Sequence, residues 1–283
     1  MDTDKKTQVY TDKRFGEERA LYGLKDVKLV RCSIAGEEDG ESALKECGAV
    51  VAEDSFFDLR YPFWHDRSVE ITGCELTPNC RAALWYSKNI RISGSTLHGI
   101  KALRECKNAE IRDSDIISPE FGWSTDGILF ENTHAESEYF CLRAKNIRAS
   151  GLDFTGKYSF QYVENAEFDN CTFNTKDAFW HGKNIVVKNS KVKGEYLAWF
   201  AKDITFINCE IIGTQPLCYC KGLKLVDCRM TDTDLAFERS EVTATLTAPI
   251  ISIKNPYAGS ITVPEVGEII LDDKKAKGEI IIN

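Results

Sequence analysis

Alternating apolar and polar positions recur along the chain in a short motif whose leading apolar residue falls at Val27, Val50, Val69, Ile90, Ala109, Ile128, Ile147, Ala166, Ile185, Ile204, Leu223 and Val242. The steps between them are 23, 19 and 21 residues, and 19 at every later step. Within a repeat such as FWHGKNIVVKNSKV (179 to 192) the apolar positions Ile185, Val187 and Val192 have strand periodicity. A unit of 19 residues that holds two or three short strands leaves no room for a helix. Stacked coils of this length, each strand pairing with its equivalent in the next coil, predict an all-β, single-stranded parallel β-helix, and the usual crossover preference makes it right-handed. The repeat predicts one domain over 1–283, with an N-terminal cap over 1–17, coils over 18–250 and a closing segment over 251–283, because open sheet edges must be covered.

The repeat allows residues to be compared column by column. Cys32, Cys74, Cys171, Cys209 and Cys228 stand five residues after the leading position, where other coils carry Ser55, Ser95, Ser114, Thr133 and Ser190. This is the pattern of an inward stack of small side chains. Cys47, Cys106 and Cys220 share a second column, three residues before the leading position. Cysteines that recur by repeat position in a chain with an ample core predict buried, reduced thiols and not a disulfide framework. No pair has CxxC spacing, so no metal or other cofactor is expected. The net charge of -8 comes without a basic tract, which gives nucleic acid and anionic lipid no purchase. The polar N-terminus reads as neither signal peptide nor membrane anchor, and the expected location is cytoplasmic.

Six residues before the leading position the column is uncharged throughout, from Leu21 and Leu44 to Phe160, Phe179 and Ala236, and points inward. The next column contains all five tryptophans, Trp64, Trp85, Trp123, Trp180 and Trp199, together with Lys45, Arg104 and Gln161. Charged members exclude a buried stack, so the column predicts an outward aromatic and basic stripe. Small residues two positions earlier (Ala43, Pro62, Ala83, Ala102, Ser159, Ala178) and charged ones beyond them (Glu41, Arg60, Lys157, Lys176) predict a shallow groove beside it. Flat exposed aromatics suit the apolar faces of sugar rings, which makes an oligosaccharide the expected ligand, with Trp64, Trp85, Arg104, Trp123, Trp180 and Trp199 as its binding residues. The same stripe equally reads as a stabilising ladder or an oligomer interface.

An asparagine ladder (Asn89, Asn108, Asn146, Asn165, Asn184) marks a left-handed turn. Beside it runs a lysine and arginine ladder interrupted by Asp126 and Glu164, two coils apart, which is roughly 10 Å by rise. Neighbouring lysines suit these carboxylates to a base and not to an acid. WSTDGIL (123 to 129) resembles the NTDGI element of polygalacturonase-type glycosidases, but Ile147 and Arg148 stand where that family's paired aspartates are expected. His65 and His181 each follow a tryptophan, and such a histidine is a candidate general base. The catalytic candidates are therefore Asp126, Glu164 and His181. No nucleophile elbow or phosphate loop is present.

FGEERALYGLKDVKLVRCSI, GESALKEC, RYPFWHDRSVEITGCEL, RAALWYSKNIRI, KDAFWHGKNIVVKNS, GEYLAWFAKDITFINCEI and DLAFERSEV, in this order, resemble the bacterial family known as domain of unknown function 3737. The resemblance runs from about residue 15 to the last turn. It implies a right-handed β-helix similar to pectate lyases and implies no activity or site. Two functions are expected: a carbohydrate-active or carbohydrate-binding protein, as a lyase or glycosidase if it is an enzyme, or a non-catalytic solenoid for structure or protein interaction.

Overall fold

The computed structural model describes residues 7–37 and 40–283, and no helix occurs among them. The chain forms two compact units, Met1–Ser137 and Glu138–Asn283. Each is a parallel β-solenoid.

In the first unit one sheet stacks Gln8–Thr11, Asp26–Val30, Ala49–Glu53, Ser68–Thr72, Lys88–Ser93, Lys107–Arg112 and Asp126–Glu131 in sequence order. The pairing is parallel and sets equivalent residues opposite one another, as in Val69↔Ile90 and Ile90↔Ala109. A second sheet of short strands runs from Arg14–Phe15 through Ser33–Ile34 and Thr96–Leu97 to Asp115–Ile117 and His134–Ser137. In the second unit the long strands are Lys145–Ser150, Glu164–Asp169, Lys183–Lys188, Lys202–Ile207, Leu223–Cys228, Glu241–Leu246, Ala258–Val263 and Glu279–Ile282. At the chain ends the sheet edges are covered by further strands. Gln8–Thr11 pairs with Asp26–Val30, and Ala258–Val263 and Glu279–Ile282 extend the sheet at the other end. Pairing as a further coil satisfies the backbone groups of these segments and of the sheet edges they cover. Residues 1–6 of the expected cap lie outside the described residues.

The inward columns hold the core. The second unit is packed by Phe140, Phe154, Phe160, Phe168, Phe173 and Phe179, all fully buried. Phe160 meets Phe168 at 4.8 Å edge-on and Phe179 at 5.3 Å with planes 17° apart. The cysteine and serine column is buried as expected, and it carries an inter-coil hydrogen-bond ladder at the corner: Cys32 N–H donates to Ser55 Oγ, Cys74 N–H to Ser95 Oγ and Cys171 N–H to Ser190 Oγ, each at 3.0 Å. All eleven thiols are buried and unbridged. Desolvation pushes Cys47, Cys106 and Cys220 up to about 12.

The third side of each coil is not a strand. Asp177, Phe179 and His181 have φ of 56°, 60° and 54°, alternating with residues of ordinary φ, and Tyr196, Ala198 and Phe200 repeat this one coil later. Each left-handed residue costs roughly 1 kcal/mol. The corner is held by inter-coil bonds such as Phe179 N–H to Ser159 O and His181 N–H to Trp199 O, both 2.9 Å. Alternating handedness cancels the two-residue side-chain period. Ala178 and Phe179 are thus both buried, Trp180 is half-buried and His181 is exposed.

Phe173→Ala opens a void in the fully buried aromatic cluster and is expected to cost about 3–5 kcal/mol, read as a lower urea midpoint at unchanged slope. The thiols are expected to react with a disulfide reagent at neutral pH roughly a hundredfold or more slower than in guanidinium, where all eleven titrate.

Candidate functional site

The tryptophan column does face outward. All five indoles are half-buried and none lies in the lumen. In the first unit the row is continuous: Lys45 Nζ sits 4.5 Å from the Trp64 ring, Trp64 stacks on Trp85 at 5.7 Å and 13°, and the Arg104 guanidinium lies 5.3 Å from Trp85 and 5.2 Å from Trp123. Arg104 Nε also donates to Glu105 at 3.3 Å, and its guanidinium approaches Glu120 at 3.9 Å. In the second unit Trp180 and Trp199 stack at 5.4 Å and 4°, and their indole N–H groups donate to Tyr196 O and Gln215 O at 2.6 and 2.7 Å.

This geometry corrects the expected groove. Register stacks the ring faces on one another, so Trp64 and Trp85 offer edges to solvent. The small column meant to floor the groove is buried at Ala43, Pro62, Ala83, Ala102, Ser159 and Ala178, because the corner's alternating φ turns it inward. The charged row beyond it is paired, with Arg60 to Glu41 at 3.1 Å and Lys176 to Glu195 at 3.0 Å.

The catalytic candidates fall in both units. Asp126 opens a strand of the first unit opposite Lys107, and it is exposed. Gly127 after it has φ 79° and occupies the asparagine-ladder position, where Asn108 stands one coil before with φ 55°. The TDGI resemblance is thereby explained as a glycine version of the left-handed turn. In the second unit Glu164 accepts an ion pair from Lys145 Nζ at 3.1 Å. The ring of His181 is sandwiched between Tyr162 at 4.8 Å and Phe200 at 5.0 Å, both nearly parallel to it.

A cleft of about 800 Å³ lies on the other side of the tryptophan row in the first unit, lined by Glu46, His65, Asp66, Arg67, Tyr86, Lys88, Asn89, Glu105 and Lys107. Tyr86, 38% exposed, forms one wall and stacks on Trp85 at 5.3 Å and 19°, with His65 edge-on at 5.2 Å. Asp66 lies at its base and is 1% exposed. Its Oδ1 accepts the Cys47 N–H at 2.8 Å, and its Oδ2 has no hydrogen-bond partner. Burial pushes its carboxyl up to about 8, against the opposing pull of the Cys47 N–H and with a further push from Glu46. The group is protonated at neutral pH. A carboxyl raised in the folded state stabilises the fold most below the ordinary carboxylate range, near pH 4, and progressively less as pH rises to about 8. Column comparison holds the signal that points to it: Asp66 shares the buried column of Cys47, Ser87, Cys106 and Thr125, where a carboxylate is out of place. Tyr86 carried no such signal, since aromatics are common at the corner.

Among the described residues no group of three or more His, Cys, Asp or Glu side chains could hold a metal ion. No curated protein matches the chain in sequence. Among solved structures the chain is similar to the A-module of mannuronan C-5 epimerase from Azotobacter vinelandii, at 9% identity and TM-score 0.30, covering 97% of this chain and 87% of that one. It is also similar to the catalytic domain of a GH87 alpha-1,3-glucanase in complex with tetrasaccharides, at 11% identity and TM-score 0.30, covering 97% and 62%. The plasmid-mediated fluoroquinolone resistance protein QnrB1 gives 12% identity and TM-score 0.18 over 77% and 89%. Likenesses this distant carry no site or activity to this chain. The model of the family described as protein of unknown function (DUF3737) matches residues 8–283, and the chain belongs to that family.

Proposed function

We propose that the protein binds carbohydrate, and that the sugar lies in the cleft of the first unit against Tyr86. The observation that carries this reading is the half-open Tyr86 ring, backed by Trp85 and beside a cleft of about 800 Å³ lined by charged and polar side chains. An aromatic platform with convergent polar groups is the arrangement that recognises a ring with one apolar face and equatorial hydroxyls. The tryptophan row acts as the rigid wall that holds Tyr86, not as the stacking surface itself. The reading is one of recognition. Glu164 is neutralised by Lys145, and the faces of the His181 ring are covered, so neither supports an acid and base pair.

A second reading, a non-catalytic structural ladder, is favoured for the second unit. There the Trp180 and Trp199 indoles bond the backbone of their own unit and stack face to face.

Tryptophan fluorescence titrated with neutral and acidic oligosaccharides tests the proposal. A saturable change is expected, weakened about tenfold or more in Tyr86→Ala and Trp85→Ala by loss of the platform and its support. Both variants should keep the far-ultraviolet spectrum of the parent. No response to any sugar, or binding indifferent to both substitutions, overturns it.

A further inference from the structure

Three cations, Arg67, Lys88 and Lys107, and three carboxyl groups, Glu46, Asp66 and Glu105, line the cleft, and its character depends on which of them are already paired. Arg67, Lys88 and Lys107 stand exposed in successive coils, with Lys88 directly opposite Lys107 across the sheet pairing. Among the described residues none of the three forms an ion pair within 4.0 Å. The carboxylates that share the cleft have partners outside it, Glu46 in the Tyr22 hydroxyl at 2.6 Å and Lys45 Nζ at 4.0 Å, and Glu105 in Arg104 Nε at 3.3 Å. The remaining acid, Asp66, lies covered at the base with one oxygen unpartnered. Three cations without an ion pair over a covered acid, Lys107 with Asp126 opposite it in the next coil, suit a ligand that brings its own negative charge.

Resting on the carbohydrate reading, we propose that this cleft is a subsite for a carboxylated sugar, its carboxylate held by Arg67, Lys88 and Lys107 above the floor made by Asp66. The guanidinium of Arg67 matches a carboxylate's two oxygens, and the lysines supply point charges alongside. Tyr86 supplies the surface for the sugar ring, which a bare anion would not use.

The floor makes the subsite sensitive to pH. Asp66 is uncharged at neutral pH, and its ionisation near pH 8 would place a negative charge beneath the bound carboxylate. The charged and titratable groups facing it across the cleft are Glu46, His65, Arg67, Tyr86, Lys88, Glu105 and Lys107. Within the buried column it packs between Cys47, whose N–H it accepts, and Ser87, whose Oγ accepts the Asp66 N–H at 3.0 Å.

Calorimetric titration of the full chain with trigalacturonate, cellotriose and inorganic phosphate, from about pH 6.5 to about pH 9.5, tests the subsite across the Asp66 transition. At the lower pH trigalacturonate should bind about tenfold or more tighter than cellotriose, and Arg67→Ala and Lys88→Ala should each remove that preference. Its affinity should fall about tenfold through pH 8 in the parent and stay level in Asp66→Asn, which keeps the Cys47 contact without the charge. Cellotriose binding as tightly as trigalacturonate, with Tyr86→Ala weakening both, overturns the acidic subsite and leaves the carbohydrate reading standing. Failure of both sugars overturns both. Phosphate binding as tightly as trigalacturonate reduces the cleft to an anion site, and the same pH profile in Asp66→Asn as in the parent removes Asp66 from it.

Discussion

Every feature of this molecule descends from one constraint: parallel strands of successive coils pair in register, so each side chain has its equivalents about 4.8 Å away on either side. A residue type that cannot tolerate its own company at that distance is excluded from a column, and one that gains from it is repeated. Asparagine gains most directly. Asn108 Nδ2 donates to Asn89 Oδ1 at 3.1 Å and Asn184 Nδ2 to Asn165 Oδ1 at 2.9 Å, each from a left-handed backbone that asparagine adopts readily. Cysteine and serine share the corner column because both are small, and a serine hydroxyl accepts the backbone N–H of the residue one coil before it, as Ser55 does for Cys32 and Ser114 for Ser95. Lysine repeated beside the asparagines gains only where a carboxylate interrupts the column, as Glu164 does beside Lys145, and in the first unit Lys88 stands opposite Lys107.

The same constraint explains why the aromatic row is less available than its composition suggests. Rings held at coil spacing satisfy one another, and Arg104 between two indoles satisfies both while its own charge is met by Glu105 and Glu120. What reaches solvent is the residue one step beyond, at a corner whose alternating backbone handedness swings Tyr86 and His65 outward. A wall of saturated contacts behind a single half-open ring is a rigid platform, and rigidity lowers the ordering cost of holding a ligand.

Much of the fold is legible in the spacing alone. The strands of the repeated coils, the inward direction of the phenylalanine and cysteine columns and the left-handed asparagine turn all follow from a 19-residue period with fixed columns. The groove was not legible, because Ala43, Ala83 and Ala178 were placed by a two-residue alternation that holds for strands and fails where φ alternates in sign. The setting of Asp126 was not legible for a related reason: a short TDGI match does not reveal that Gly127 takes asparagine's place in a left-handed turn.

The sequence by itself determined the coil, its period, which columns are apolar and which residues share a column, since these depend only on covalent spacing and on the burial preference of each residue type. Only the tertiary structure decided that the tryptophan faces are spent on one another, that among the described residues Lys88 and Lys107 form no ion pair within 4.0 Å while Glu46 and Glu105 do, and that Asp66 is stripped of water. Column comparison fixes neighbours along one axis. Desolvation and pairing depend on what lies across the coil and on which way the corner turns each side chain, and those are set by backbone handedness that a period cannot record.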